Sequence, residues 1–137
     1  MRRLIVVRVM VSLLALGLLA GGSEIALGNV TTFHTSLTLY ARKHTVKMGG
    51  DVHLFGNLSS GRHRCKANQT VEIDRGGAAV GTATTSSTGH YAFADKAPPT
   101  GTYKYEAKFT GSTFTAHGKQ RACAPSHSRE VSVTVKA

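Results

Sequence analysis

Cys65 and Cys123 are the two cysteines of the 137-residue chain, and their side chains offer its most specific chemistry. In an exported chain two thiols favour an intramolecular disulfide, because exported proteins fold under oxidising conditions. The bond would close a segment of 59 residues, for which the chain-entropy model gives about 4 kcal/mol of stabilisation. A redox or metal role for the pair is the less favoured alternative. We therefore predict a structural disulfide between Cys65 and Cys123.

Basic side chains cluster around both cysteines. Residues 59–69 contain two arginines and a lysine, residues 111–127 contain one of each, and neither segment contains Asp or Glu. A disulfide would bring the two segments together, and their combined field would favour anions. The plainer alternative is that these cations are the solvated side chains of two exposed loops. The predicted anion-binding residues are Arg62, Arg64, Lys66, Lys119 and Arg121.

The residue types that bind metals or nucleic-acid bases are poorly placed for either role. The seven histidines lie at positions 34, 44, 53, 63, 90, 117 and 127, so no two have the close spacing of metal ligands. His63 and His117 would approach each other across the disulfide, but two imidazoles alone make a weak site. Phe114 is a single loop aromatic and forms no base-stacking platform. We expect no metal and no cofactor, and nucleic acid stays open as a partner without a supporting motif.

The acidic residues do not form a catalytic pair. Glu72, Asp74 and Glu106 fall in alternating segments that direct them to the solvent side of a strand, and Asp51, Asp95 and Glu130 lie at turns or strand starts. The chain also lacks Gly-x-Ser-x-Gly, phosphate-loop and His-Glu-x-x-His motifs. We therefore expect no catalytic residues and a non-enzymatic protein.

Residues 1–28 have the layout of a secretory signal peptide. Three arginines and an apolar stretch over residues 9–20 are followed by small residues. That stretch is shorter than the roughly 20 residues needed to span a bilayer. Cleavage after Gly28 is favoured, while cleavage after Gly22 or retention as an anchor stays open. The leader holds three Arg and one Glu, so the net charge of +10 becomes +8 in the predicted secreted domain, residues 29–137.

The elements that must position the basic loops are predicted to be β-strands. Apolar and polar side chains alternate over residues 52–58, 71–74, 103–109 and 131–135, among others, and Gly, Pro, Ser and Thr turns separate these segments. Seven or eight short strands joined mainly by hairpin turns predict an all-β sandwich of two antiparallel sheets. A closed barrel is the alternative, but the two long loops fit one end of a sandwich better.

Six short segments, spread over nearly the whole predicted secreted domain, carry a similarity to known domains. They are Ser36–Leu39, Gly50–Leu58, Gln69–Ile73, Thr84–Phe93, Pro99–Tyr105 and Ser128–Val135. Together they resemble the bacterial Ig-like and prealbumin-like domains of exported surface proteins. The resemblance implies a single immunoglobulin-like (prealbumin-like) antiparallel β-sandwich that serves as a stalk, spacer or binding platform, and it implies no catalytic residues. A cysteine pair at one end departs from the usual pattern.

The functional hypothesis is a secreted or cell-surface module, monomeric and without catalytic activity, for binding, adhesion or cell-envelope structure. Its partner would be an anionic cell-envelope polymer or an acidic protein, bound at the basic end. The alternative is a small secreted basic effector of the toxin or antimicrobial type. Lys104 and Lys108, on the open face of a strand, are the cations expected to matter less. Asn29, Asn57 and Asn68 begin glycosylation patterns whose use depends on the source.

Overall fold

The computed structural model describes residues 30–137, so the predicted leader and Asn29 lie outside the described residues. The described part is all-β, with thirteen strands and one turn of 3-10 helix at His63–Cys65. Within it, no helix is long and apolar enough to cross a membrane. The strands are β1 Thr31–Phe33, β2 Ser36–Leu37, β3 Tyr40–Ala41, β4 Thr45–Lys47, β5 Asp51–Ser59, β6 Thr70–Arg75, β7 Ala78–Thr84, β8 His90–Lys96, β9 Gly101–Phe109, β10 Ser112–Ala116, β11 Lys119–Cys123, β12 Ser126–His127 and β13 Val131–Lys136.

Two of the sheets enclose the core. One has the strand order β4-β13-β9-β6-β7 with β12 added to β9, and the other centres on β5, with β2 and β3 along one side and β8 along the other. Side chains alternate between core and solvent along β5, as the sequence predicts, since every second residue from Val52 to Leu58 is buried. The sandwich-like all-β fold is thus confirmed. The fully enclosed residues include Val52, Leu54, Leu58, Val71, Ile73, Tyr91, Tyr105, Ala107 and Val133.

The prediction of a long loop over residues 111–127 is wrong. Most of that segment forms the hairpin of β10 and β11, which joins β1 in a third sheet of order β1-β11-β10. The hairpin turn uses His117 and Gly118, whose φ angles of 51° and 70° place both in the left-handed region. Apart from Phe114, the strand β10 consists of Ser, Thr and Ala, so its apolar alternation is too weak to reveal a strand.

The prediction that all pairing is antiparallel is also wrong. β1 pairs in parallel with β11, and β4 pairs in parallel with β13. Each of these pairs joins segments that are far apart in sequence, so the pairing cannot be predicted from the residues of a hairpin turn. The expected number of seven or eight strands is not confirmed, because the described part has thirteen, among them the short strands β1, β3 and β12 and the β10–β11 hairpin.

Asp74 is less exposed than predicted, and Asp95 lies within a strand instead of at the predicted turn or strand start. Asp74 lies opposite Glu106 on the outer face of its sheet, but only 5% of its side chain is exposed, because Lys108 covers it with Nζ 2.7 Å from Oδ2. This hydrogen bond raises the pKa of Lys108 above its ordinary value. Asp95 lies within β8 and accepts hydrogen bonds from Arg75 at 2.5 Å and from the Tyr105 hydroxyl at 2.7 Å.

Candidate anion-binding site

The predicted disulfide between Cys65 and Cys123 is present. Both residues are buried, their Cα atoms are 5.4 Å apart, and the bond joins the 3-10 helix to the end of β11. The helix carries Arg64 and follows Arg62, while β11 carries Lys119 and Arg121. The disulfide therefore holds the two basic segments against each other, as their positions around the cysteines predict.

A pair of phenylalanines, Phe33 and Phe114, lies beside the arginines of the 3-10 turn. Phe33 of β1 is in register with Cys123, and Phe114 of β10 is in register with Arg121, so both rings lie on the same face of the small sheet. Their ring centroids are 6.3 Å apart and the rings are stacked, with an angle of 18° between their planes. The two rings form an apolar base beneath the cations.

Two arginines cover this aromatic base. The guanidinium carbon of Arg62 lies 4.6 Å from the Phe33 ring centroid, and that of Arg64 lies 5.5 Å from the Phe114 centroid. Arg64 also donates a hydrogen bond of 3.1 Å to the Thr115 carbonyl. A guanidinium has five N–H donors, so most of them stay free for a ligand. The cation–π contacts restrict where these side chains point.

Arg121 completes a small groove between the two rings. Its Nη1 donates a hydrogen bond of 2.9 Å to Thr31 Oγ1, which fixes the guanidinium beside β1. The groove has a volume of about 150 Å³, which suits one phosphate or carboxylate group. It is lined by Phe33, Arg62, Phe114, Ala116, His117 and Arg121.

Of the five predicted residues, Arg62 and Arg121 line this groove, and Arg64 lies beside it over the Phe114 ring. Lys119 is in register with Ala116 and lies two positions before Arg121, so it shares the groove's face of β11 without lining the groove itself. Lys66 lies elsewhere, with its Cβ against the turn at Gly89. The structure therefore brings Arg62, Arg64 and Arg121 together. We call this trio, with the Phe33–Phe114 pair, the disulfide end.

The cations of the disulfide end have no ion-pair partner in the described part of the chain. Within residues 30–137, none of the five predicted anion-binding residues has a carboxylate oxygen within ion-pair distance. The cations expected to matter less are paired instead, Lys108 with Asp74 at 2.7 Å and Lys104 with Glu130 at 3.7 Å. Positive charge is therefore locally uncompensated at the disulfide end and compensated on the open sheet face.

Phe33 lines the candidate groove but was not predicted from the sequence. Its placement depends on the parallel pairing of β1 with β11, and no local pattern signals that pairing. The histidines do not converge on a metal, since no group of three or more His, Cys, Asp or Glu side chains in the described part could hold one. His127 lies away from the groove, with Nδ1 3.4 Å from Glu106.

No protein-family model matches this chain, and no curated protein matches it in sequence. Among solved structures, the chain is similar to the sulfur carrier protein SoxY from Chlorobium limicola f thiosulfatophilum. The identity is 13%, the TM-score is 0.39, and the match covers 87% of this chain and 96% of that chain. A likeness of this size carries no argument about function.

Proposed function

We propose that this domain is a non-enzymatic, exported Ig-like (prealbumin-like) module that binds an anionic polymer of the cell envelope through its disulfide end. The observation that carries the proposal is the trio Arg62, Arg64 and Arg121, which has no ion-pair partner in the described part and surrounds a stacked aromatic pair. The sandwich-like fold and the disulfide support the Ig-like and exported parts of the proposal.

Arginine suits this role for a geometric reason. Its planar N–H fork matches the oxygens of a phosphate or carboxylate, and stacking on an aromatic ring leaves the edge of the fork free. The side chains are already restrained by ring contacts and by hydrogen bonds to Thr31 and Thr115. Less side-chain entropy is therefore lost on binding than with free surface lysines.

The size of the groove favours a polymer over an enclosed small molecule. A volume of about 150 Å³ is below the roughly 300 to 1,000 Å³ of pockets that enclose drug-sized ligands. One anionic group of the polymer would enter the groove at a time, while neighbouring groups of the same polymer contact Lys119. Each contact is weak, so affinity depends on several of them and on low salt.

The test compares two double variants that each remove two positive charges. Arg62→Ser/Arg121→Ser changes the disulfide end, and Lys104→Ser/Arg129→Ser is the matched control on the open sheet face and beside β13. Binding to fluorescent long-chain polyphosphate and polyglutamate is measured by anisotropy at two salt concentrations. We expect at least a tenfold loss of affinity in the first variant, a change below twofold in the control, and weaker binding of the unmodified domain at high salt.

Two outcomes would contradict this proposal. Equal losses in both variants would mean that binding follows net charge, and an affinity that does not change with salt would exclude a charge-based mode. Sedimentation of the domain with isolated envelope of the producing cells, with the same two variants, then tests whether the natural polymer behaves like the probes.

A further inference from the structure

A second group of cations lies at the other end of the sandwich, around a cavity of about 730 Å³. The cavity lies where the turn between β3 and β4, the turn between β4 and β5, and the end of β13 meet. Its cationic side chains are Arg42, Lys43, Lys47 and Lys136, and Asp51 is the one acidic side chain among its lining residues. We call this the opposite end.

The strand pairing holds two of these cations side by side. Lys47 of β4 and Lys136 of β13 are directly in register in parallel strands, and both are exposed. The backbone there is fixed, because the Met48 amide donates to the Lys136 carbonyl at 2.7 Å and the Gly50 amide to the Lys47 carbonyl at 3.1 Å. Adjacent like charges destabilise a sheet, and an anion bound between them would remove that cost.

The opposite-end cations have no ion-pair partner among the described residues, although Asp51 and Ala137 line the same cavity. None of the four cations lies within ion-pair distance of a carboxylate oxygen of any described residue, and this holds for the Asp51 carboxylate as well. The cavity is several times larger than the groove at the disulfide end. It lies within the size range of pockets that hold a whole ligand. It therefore has room for an anionic group together with the alcohol or sugar unit that carries it.

The two ends are too far apart to act on one small ion. β5 runs from Asp51, which lines the opposite-end cavity, to Ser59, three residues before Arg62. Eight residue steps at about 3.3 Å make the strand about 26 Å long. This is about three times the distance over which physiological salt screens charges, roughly 8 Å. Each end should therefore bind anions independently.

We propose that the opposite end is a second anion-binding site, and that one domain holds two segments of anionic polymer at once. The domain then links two polymer chains, or two distant segments of one chain. The site at the opposite end rests on its own residues, whereas the linking rests on the proposed function of the disulfide end.

The test uses a short anion and a long one with three double variants of equal charge change. The variants are Lys43→Ser/Lys47→Ser at the opposite end, Arg62→Ser/Arg121→Ser at the disulfide end, and Lys104→Ser/Arg129→Ser as control. Tripolyphosphate, which is too short to span the domain, reports stoichiometry by calorimetry. Long-chain polyphosphate reports linking by light scattering, which should peak at a balanced ratio of domain to polymer.

We expect two tripolyphosphates per domain in the unmodified and control proteins and one in each of the other variants. When either end is changed, each domain can bind one polymer segment and cannot link two. Light scattering should then show no peak at the balanced ratio of domain to polymer. Lys47→Glu alone should also abolish opposite-end binding, because the new carboxylate would pair with Lys136. Thermal melting checks folding, and removing Lys47 should leave the melting temperature unchanged or higher, since a like-charge neighbour is lost.

The outcomes separate this inference from the proposed function. Two bound anions and full scattering in Lys43→Ser/Lys47→Ser would overturn the second site. If binding is lost only in that variant and Arg62→Ser/Arg121→Ser behaves like the control, the opposite end stands as a site, while the proposed role of the disulfide end and the linking are both refuted.

Discussion

The disulfide should supply a large share of the stability of this domain, and its removal gives the most quantitative test of the structure. Cys65 and Cys123 are separated by 58 residues, and for a closed loop of that size the chain-entropy model gives about 14 cal/mol/K, or about 4 kcal/mol at 25 °C. In a domain of about 100 residues, each kcal/mol shifts the melting temperature by roughly 4 °C or more. Breaking the bond should therefore lower it by about 15 to 20 °C.

The assay compares the same chain in two redox states, so that no residue is substituted. Oxidised protein and protein reduced with a phosphine are melted in parallel by circular dichroism, and thiol titration verifies each state. The Cys65→Ala/Cys123→Ala variant is a second measurement, and it should melt somewhat lower than the reduced protein because both cysteines are buried and alanine leaves a gap.

The reduced domain should also lose part of its polyanion affinity at moderate temperature. The disulfide joins the 3-10 helix to β11, so breaking it frees the segment that carries Arg62 and Arg64. A stabilisation of about 4 kcal/mol requires a drop in melting temperature several times larger than about 3 °C. A drop smaller than that on reduction would refute the loop-closure estimate. Unchanged affinity in a reduced, folded domain would show that the Arg64 hydrogen bond and the ring contacts position the arginines without the disulfide.

Two further perturbations test other contacts of the fold. Gly89 has a φ of +93°, and a Cβ there would lie 2.1 Å from the Leu58 carbonyl oxygen. Gly89→Ala should therefore lower the free energy of unfolding, measured by urea denaturation, by at least about 2 kcal/mol. Gly61→Ala is the matched control, because a Cβ at Gly61 meets nothing within 4 Å, and it should change the free energy of unfolding by less than about 1 kcal/mol. The hydrogen bond to Asp74 raises the pKa of Lys108, so the pair's contribution to stability is complete below the ordinary lysine pKa and is lost as pH rises through the raised pKa. When the pH is raised from neutral to strongly alkaline, the Asp74→Asn/Lys108→Met variant should therefore lose less stability than the unmodified domain. Equal losses in the two proteins would contradict the pairing.

Strand faces and the disulfide could be predicted from the sequence because they depend on local alternation and on residue type. Tyr105, Ala107 and Phe109 are buried on one face of β9, as their spacing predicts. The Cys65–Cys123 bond could be predicted because two cysteines allow one intramolecular pairing. Alternation gives the side of the strand correctly for Asp74 as well, but it does not reveal that a long lysine from the neighbouring strand covers the carboxylate.

The exact composition of both cationic ends could not be predicted, because it depends on parallel pairings between distant segments. Phe33 reaches Phe114 through the pairing of β1 with β11, and Lys47 reaches Lys136 through the pairing of β4 with β13. Neither pair is joined by a turn whose residues would reveal it. Lys66 illustrates the reverse, since it is close in sequence to Arg64 but lies against Gly89.

The parallel pairing of β4 with β13 also has a consequence for folding. Thr45 and Thr134 are in register although they lie near opposite ends of the domain sequence, and contacts of such long range form slowly because the chain must first lose loop entropy. A newly synthesised chain carries its positive charge before Lys47 meets Lys136. Diffuse attraction to polyanions would therefore come first, and binding at the proposed opposite-end site would begin only when the last strand is in place.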